Sequence, residues 1–344
     1  MRKSGRFVVD THVHSQRHAA GARLKERMKE TGKDQVDYTD LDATLGGSEV
    51  YDNSPRLLYD MEAYGVDMCV LQPAFGMNND LNLALVEKYP DKFVAMCHNM
   101  ETRRRGKEAT AQDAYNELDA LLSTGKFCGI GEGAIGRSAK SFIEKTYSMT
   151  ERMDELRLTC DLGRKHNIVV TFHTGTAGGY PITNAMMPEN WNPYWIHDLA
   201  AEYPDVTIVI AHGGMQGGYM EDLVDKSILV ASNYNNVYLE TGLYWTELYY
   251  KALRYPNVGP EKLIWGSDWG ASQPIQTRLG NNPQTFSMQV HKEGIVRHQV
   301  DVMGWSLKQV DRLDISQDDV NLILGGNAVR IFKLKTPLTR MFRM

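Results

Sequence analysis

Short apolar runs recur along the chain, each closing on polar residues or glycine, and the stretches between them carry apolar positions at helical spacing. The runs start at Phe7 (FVVDTHVH), Val66 (VDMCVLQP), Phe93 (FVAMCHNM), Phe127 (FCGIGEGA), Ile168 (IVVTFHTG), Val206 (VTIVIAHGG), Val237 (VYLETG) and Leu263 (LIWGSDWG). The intervening segments include AYNELDALLS from Ala114, ERMDELRLTCDLGRKH from Glu151 and WIHDLAAEYP from Trp195. Strand and helix alternate, and the strands are apolar almost throughout rather than at every second residue. That pattern belongs to a parallel sheet covered on both faces. Eight such units predict a closed (β/α)8 TIM barrel, with a doubly wound open sheet as the alternative.

Two connections are too long for simple barrel loops: residues 15 to about 60 after the first strand, and about 271 to 316 after the last. Both would leave the C-terminal face, where such folds build their pockets, so they are expected to form a lid and a specificity wall. The alternative is a packing or oligomer-contact role. The expectation is one domain over residues 1–344.

Composition changes this picture little. With 42% hydrophobic and 24% charged residues the chain resembles an average globular protein. A net charge of -5 supplies no basic field for nucleic acid and no polybasic membrane patch, so a small-molecule partner is expected. The one dense basic run, Arg103, Arg104 and Arg105, reads as a solvated loop. The N-terminal MRKSGRFVVD does not fit a signal peptide, and no stretch is long enough to span a bilayer. Cys69, Cys97, Cys128 and Cys160 lack paired spacing and read as reduced core residues, which together with the N-terminus gives a cytoplasmic expectation.

Chemistry concentrates where a barrel would present it, at the C-terminal ends of the strands. The first run ends His12-Val13-His14, and the two-residue period points both imidazoles to one side. The fourth ends at Glu132, the fifth at His173, the sixth at His212 and the eighth at Asp268. Singly, each is more often a hydrogen-bonded core or turn residue. Together they would be costly to bury without a cation, and a nitrogen and oxygen donor set without thiolate suits one or two divalent ions of Zn, Fe or Mn. His98 and Gln72, at the ends of the third and second strands, and His18 in the first insertion are candidates for substrate contact. Glu240 and Trp269 are candidates for the pocket lining, with core packing as the alternative.

The segments D-T-H-V-H at Asp10, F-H-T-G at Phe172, A-H-G-G at Ala211 and W-G-S-D-W at Trp265 resemble the amidohydrolase superfamily. DLAAEYPDVTIVIAHGG from Asp198 and LILGGNAVRIF from Leu322 are similar to its aminocarboxymuconate semialdehyde decarboxylase-like branch. The resemblance implies that His12, His14 and Asp268 hold a first metal, and that His173 and His212 are ligands or direct participants. Decarboxylases of that branch generally lack an acidic ligand at Glu132, whereas TatD-type nucleases carry a bridging glutamate there. By that likeness Glu132 bridges two ions. The alternative is that it holds a ligand histidine in its tautomer.

Branch membership favours decarboxylation, whereas the likeness at Glu132 favours a metal-dependent hydrolase in which Asp268 moves the proton of the attacking water; in a one-metal version His212 would instead stabilise developing charge. The alternatives are a one-metal nonoxidative decarboxylase, a dinuclear Fe or Mn oxygenase, and a catalytically inactive partner subunit. Assembly as a homo-oligomer or with a related subunit is expected.

Overall fold

The computed structural model describes residues 6–15, 17–19, 49–52, 54–73, 79–105, 109–132, 149–174, 192–215, 221–269 and 302–336. Most of the two expected insertions, residues 20–48 and 270–301, lies outside them.

The strands are β1 (Val9–Val13), β2 (Arg17–Ala19), β3 (Glu49–Tyr51), β4 (Met68–Leu71), β5 (Phe93–Cys97), β6 (Gly129–Ile130), β7 (Val169–His173), β8 (Ile208–Ala211), β9 (Val237–Glu240) and β10 (Leu263–Ile264). The helices are α1 (Ser54–Tyr64), α2 (Asn79–Lys88), α3 (Met100–Arg105), α4 (Ala111–Ser123), α5 (Met149–His166), α6 (Trp195–Glu202), α7 (Glu221–Asn233), α8 (Thr246–Leu253), α9 (Val302–Asp311), α10 (Gln317–Asn321) and α11 (Asn327–Ile331). A π-helical turn, Leu322–Gly326, joins the last two. None of the described helices is long and apolar enough to cross a membrane.

β1 and β4 to β10 form one eight-stranded sheet in chain order, and every pair within it is parallel. Its two edges meet. Thr11 N–H donates to the Trp265 carbonyl at 3.2 Å, His14 N–H donates to the Trp269 carbonyl at 2.7 Å, and Val13 bridges in parallel to Trp269. This seam closes the ring as a (β/α)8 barrel and rules out the doubly wound sheet. β2 and β3 pair separately as an antiparallel ribbon.

Two apolar clusters explain why the strands are nearly continuous in hydrophobicity. Cys69, Leu71, Val170, Phe172, Ile208 and Ile210 pack with helix residues such as Leu57, Leu118 and Leu156. Their strand neighbours Met68, Val70, Val169 and Val209 point the other way and pack together with Val9, Met96 and Ile264 inside the ring. Ala328, Ile331 and Phe332 of the C-terminal helix join that inner cluster. The register of β1 against β4 slips between Asp10 and Val13, so Val9 belongs to the inner cluster but Val13 to the outer. The slip re-phases the strand, and His12 and His14, flanking outward-facing Val13, share the inner side.

Arg103, Arg104 and Arg105 end helix α3 and are not a loop. The helix begins beneath α4, where the Glu117 carboxylate accepts the main-chain N–H groups of Glu101 and Thr102. A glutamate fifteen or sixteen residues downstream that satisfies a helix's first donors leaves no local signature. All four cysteines are free thiols, and Cys69, Cys97 and Cys160 are buried.

Candidate metal centre

β1 delivers two histidines to one point. His12 Nδ1 faces the Glu240 carboxylate at 2.8 Å, and His14 Nδ1 faces the main-chain carbonyl of Gln72 at 2.9 Å. Both partners are acceptors, so each Nδ1 carries the hydrogen. The two Nε2 atoms lie 3.1 Å apart, with lone pairs converging when the rings are neutral. A cation between them removes the repulsion, and two nitrogens bound at about 2.1 Å to one ion stand roughly 3.0–3.4 Å apart. Asp268 Oδ1 lies 3.4 Å from His14 Nε2 and 3.8 Å from His12 Nε2, buried and without a hydrogen bond of its own among the described residues. His12, His14 and Asp268 therefore form a group that could hold a divalent ion.

Glu132, immediately after β6, stands among four imidazoles. Its Oε2 is 2.5 Å from His173 Nδ1, 3.3 Å from His212 Nε2 and 3.4 Å from His12 Nε2, while its Oε1 is 3.5 Å from His14 Nε2. A second group, His12, Glu132 and His212, has the donors and spacing for an ion as well. His12 Nε2 belongs to both groups and can serve only one ion.

The electrostatics follow from this crowding. Burial works against ionising Glu132, yet His173 and His12 beside it hold its carboxyl well below the usual range. Burial likewise opposes charge on His12, but Glu132 and Glu240 outweigh it and raise the imidazole well above its ordinary value. Asp268 is kept low against burial by His14 and by the nearby His212 and His12. Such a cluster of imidazoles and carboxylates under an apolar barrel is poised to exchange protons for a metal.

His212 and Asp268 occupy left-handed backbone at φ 58° each, a conformation that costs a non-glycine residue free energy. The surroundings fix both. His212 N–H donates to Glu240, Tyr244 O–H donates to the Gly213 carbonyl at 2.9 Å, and Gly214 N–H donates to Thr174 Oγ at 3.0 Å. Next to Asp268, the Ser267 N–H and O–H groups both donate to the buried carboxylate of Asp10, which also accepts the His12 N–H at 3.1 Å.

All six proposed ligands thus converge on one place. His12 and His212 are fully buried, whereas the His173 side chain is 30% exposed. Of the candidates for substrate contact, Gln72 adjoins the cluster through its main-chain carbonyl, which faces His14 Nδ1. Its side-chain N–H donates to the Thr11 carbonyl at 2.8 Å, and its buried Oε1, beside Gly131, has no hydrogen bond among the described residues. His98 is buried at the end of β5, its main chain bracketed by Asn79. Trp269 turns away, its indole N–H donating to Asp60 of α1 at 3.0 Å. His18 pairs with Val50 in the ribbon, and its side chain lies outside the described part.

Sequence reasoning assigned no role to Asp10 and saw Glu240 only as possible lining. A carboxylate inside an apolar strand is the signal that finds such residues, because it is tolerated there only with partners.

A family model described as Amidohydrolase (Amidohydro_2) matches residues 9–334. No curated protein matches the chain. Among solved structures, a dihydroxybenzoic acid decarboxylase from Polaromonas sp. JS666, with bound manganese and the inhibitor 2-nitroresorcinol, is 15% identical over 98% of this chain and 99% of its own, with a TM-score of 0.56. A 5-carboxyvanillate decarboxylase from Sphingomonas paucimobilis is 13% identical over 96% and 99%, TM-score 0.54. A 4-oxalomesaconate hydratase from Rhodopseudomonas palustris is 14% identical over 95% and 96%, TM-score 0.53. At these identities the likeness concerns the fold. The family model spans the strand ends that carry the six converging residues, and the chain belongs to the amidohydrolase family, in its amidohydrolase-2 branch.

Proposed function

We propose that the protein is a metal-dependent hydrolase acting on a small organic substrate, with two divalent ions of Zn, Fe or Mn. The observation that carries this reading is the place of Glu132 among four imidazoles, with ring nitrogens close to both of its oxygens. His12, His14 and Asp268 would hold one ion, His173 and His212 the other, and Glu132 would bridge. When bound, such ions bring the pKa of a water toward neutrality and polarise a carbonyl or ester. Asp268 accepts the proton of the attacking water and returns it to the leaving group, since its carboxylate is ionised and its Oδ1 has no competing hydrogen bond. With a single ion, His212, buried and locked in its turn, would instead orient the reacting oxygen.

Nonoxidative decarboxylation is the second reading, favoured by decarboxylases among the solved structures of like fold. Asp268 or His212 would then protonate the carbon that loses carbon dioxide. Elemental analysis of purified protein, followed by turnover of carboxylic acids and esters in H2-18O, separates the two. Two ions per chain with 18O entering the product is the expected outcome. One ion per chain would sink the bridged two-ion site, and release of carbon dioxide with no 18O incorporated would sink the hydrolytic reading.

A further inference from the structure

Glu240 is a carboxylate that neither metal group contains. It closes strand β9 with 1% of its surface exposed, and its two oxygens reach three donors on three different segments. Oε2 accepts the His12 Nδ1–H at 2.8 Å and the main-chain N–H of His212 at 2.9 Å, while Oε1 accepts the main-chain N–H of Gly242. One carboxylate thus fixes the ring of a residue from β1 and the backbone of a residue after β8.

The surroundings are shaped to it. A Cβ on Gly266 would press onto Glu240 Oε1 and come within 2.8 Å of His12 Cβ, and a Cβ on Gly242 would lie 2.8 Å from the same oxygen and 3.2 Å from His212 Nδ1. Glycine at both positions leaves a slot that the carboxylate fills. A glutamine would fit the volume but not the chemistry, because its amide nitrogen would meet an N–H on one side or the other.

We infer that Glu240 is the positioning carboxylate of the centre: it holds a hydrogen on His12 Nδ1, so that Nε2 faces the cluster as a lone pair, and ties His212 into the same frame. This rests on the metal reading above and adds to it the residue that sets ligand orientation. Partners of this kind strengthen a ligand's basicity and fix its tautomer, and their loss costs about 10–100-fold in metal affinity.

The test compares the metal-stripped full chain, its Glu240→Gln variant and a surface control, Glu247→Gln, for Zn2+ affinity by chelator competition. The His12 Nδ1–H resonance is followed in parallel in protein carrying 15N-labelled histidine. The expected result is Zn2+ binding about 10–100-fold weaker in Glu240→Gln alone, with the downfield Nδ1–H signal of His12 present in the parent and lost in that variant. Affinity within about two-fold of the parent, with the resonance unchanged, would overturn the inference. Absence of that resonance from the parent would overturn it too, whether or not the variant folds. A parent that binds no divalent ion refutes the metal reading alone, and Glu240 is then decided by the His12 resonance in the metal-free protein.

Discussion

Two of the residues best placed for chemistry, His212 and Asp268, are held in left-handed backbone by hydrogen bonds from elsewhere in the barrel. Sparsely populated conformations of this sort persist only where the surroundings over-determine them. The roles are separable. Asp268→Asn keeps the size and backbone of the residue but cannot accept a proton, so it is expected to lower kcat by about 10²–10⁴ while the unfolding midpoint of the metal-stripped protein stays near that of the metal-stripped parent. Asp10→Ala should do the reverse. It strands the Ser267 N–H and O–H and the His12 N–H, at a cost on the order of 1–3 kcal/mol for each buried donor left unpaired, read as a lower urea midpoint. His12, His14, His173, His212, Glu132 and Asp268 were legible in the sequence because histidines and carboxylates at strand ends are conspicuous. Asp10 and Glu240 were not, because most of their partners, main-chain and side-chain donors up to 257 positions away, leave no local pattern.

Among elements, the turn His212–Gly214 decides the most. Gly213 and Gly214 also have positive φ, and a Cβ on Gly214 would be driven against the carbonyl carbon of Leu223 at 2.6 Å and Ser227 Oγ at 2.7 Å. Gly214→Ala is therefore expected to cost at least about 1–3 kcal/mol and to displace His212, checked by denaturant unfolding together with metal stoichiometry. A milder case is α4, whose N-terminus carries a capping box between Thr110 and Asp113. Thr110→Ala should lose about 1 kcal/mol with activity unchanged, which a urea titration reads directly. Alternation of strand and helix was readable at this scale from apolar spacing alone. Strand length was not: β6 and β10 keep only two residues each in regular pairing, because the runs that contain them turn early toward the site. The re-phasing of β1 was invisible as well, since a register slip changes which neighbour a residue faces without changing the order of residue types.

For the molecule as a whole, ligands from β1, β7 and the segments after β6, β8 and β10 meet at one centre, so a bound ion would cross-link elements far apart in the chain. Chelation is expected to lower Tm by several degrees, and Zn2+ or Mn2+ to restore it. An ion present at 1,000 times its Kd stabilises the folded state by about 4.1 kcal/mol. A Tm indifferent to both treatments would count against a resident metal.

The seam of the barrel has a consequence for the history of the chain. His14 lies on one side of it and Asp268 on the other, joined through the bond from His14 N–H to the Trp269 carbonyl. During synthesis the carboxylate partner of His12 and His14 across the seam leaves the ribosome more than 250 residues after them. At translation rates of about 5–20 residues per second, that is a delay on the order of ten seconds to a minute. Over that interval His12 and His14 have no closed ring around them. On the metal reading, an ion held by both His14 and Asp268 would be captured only once the seam has closed.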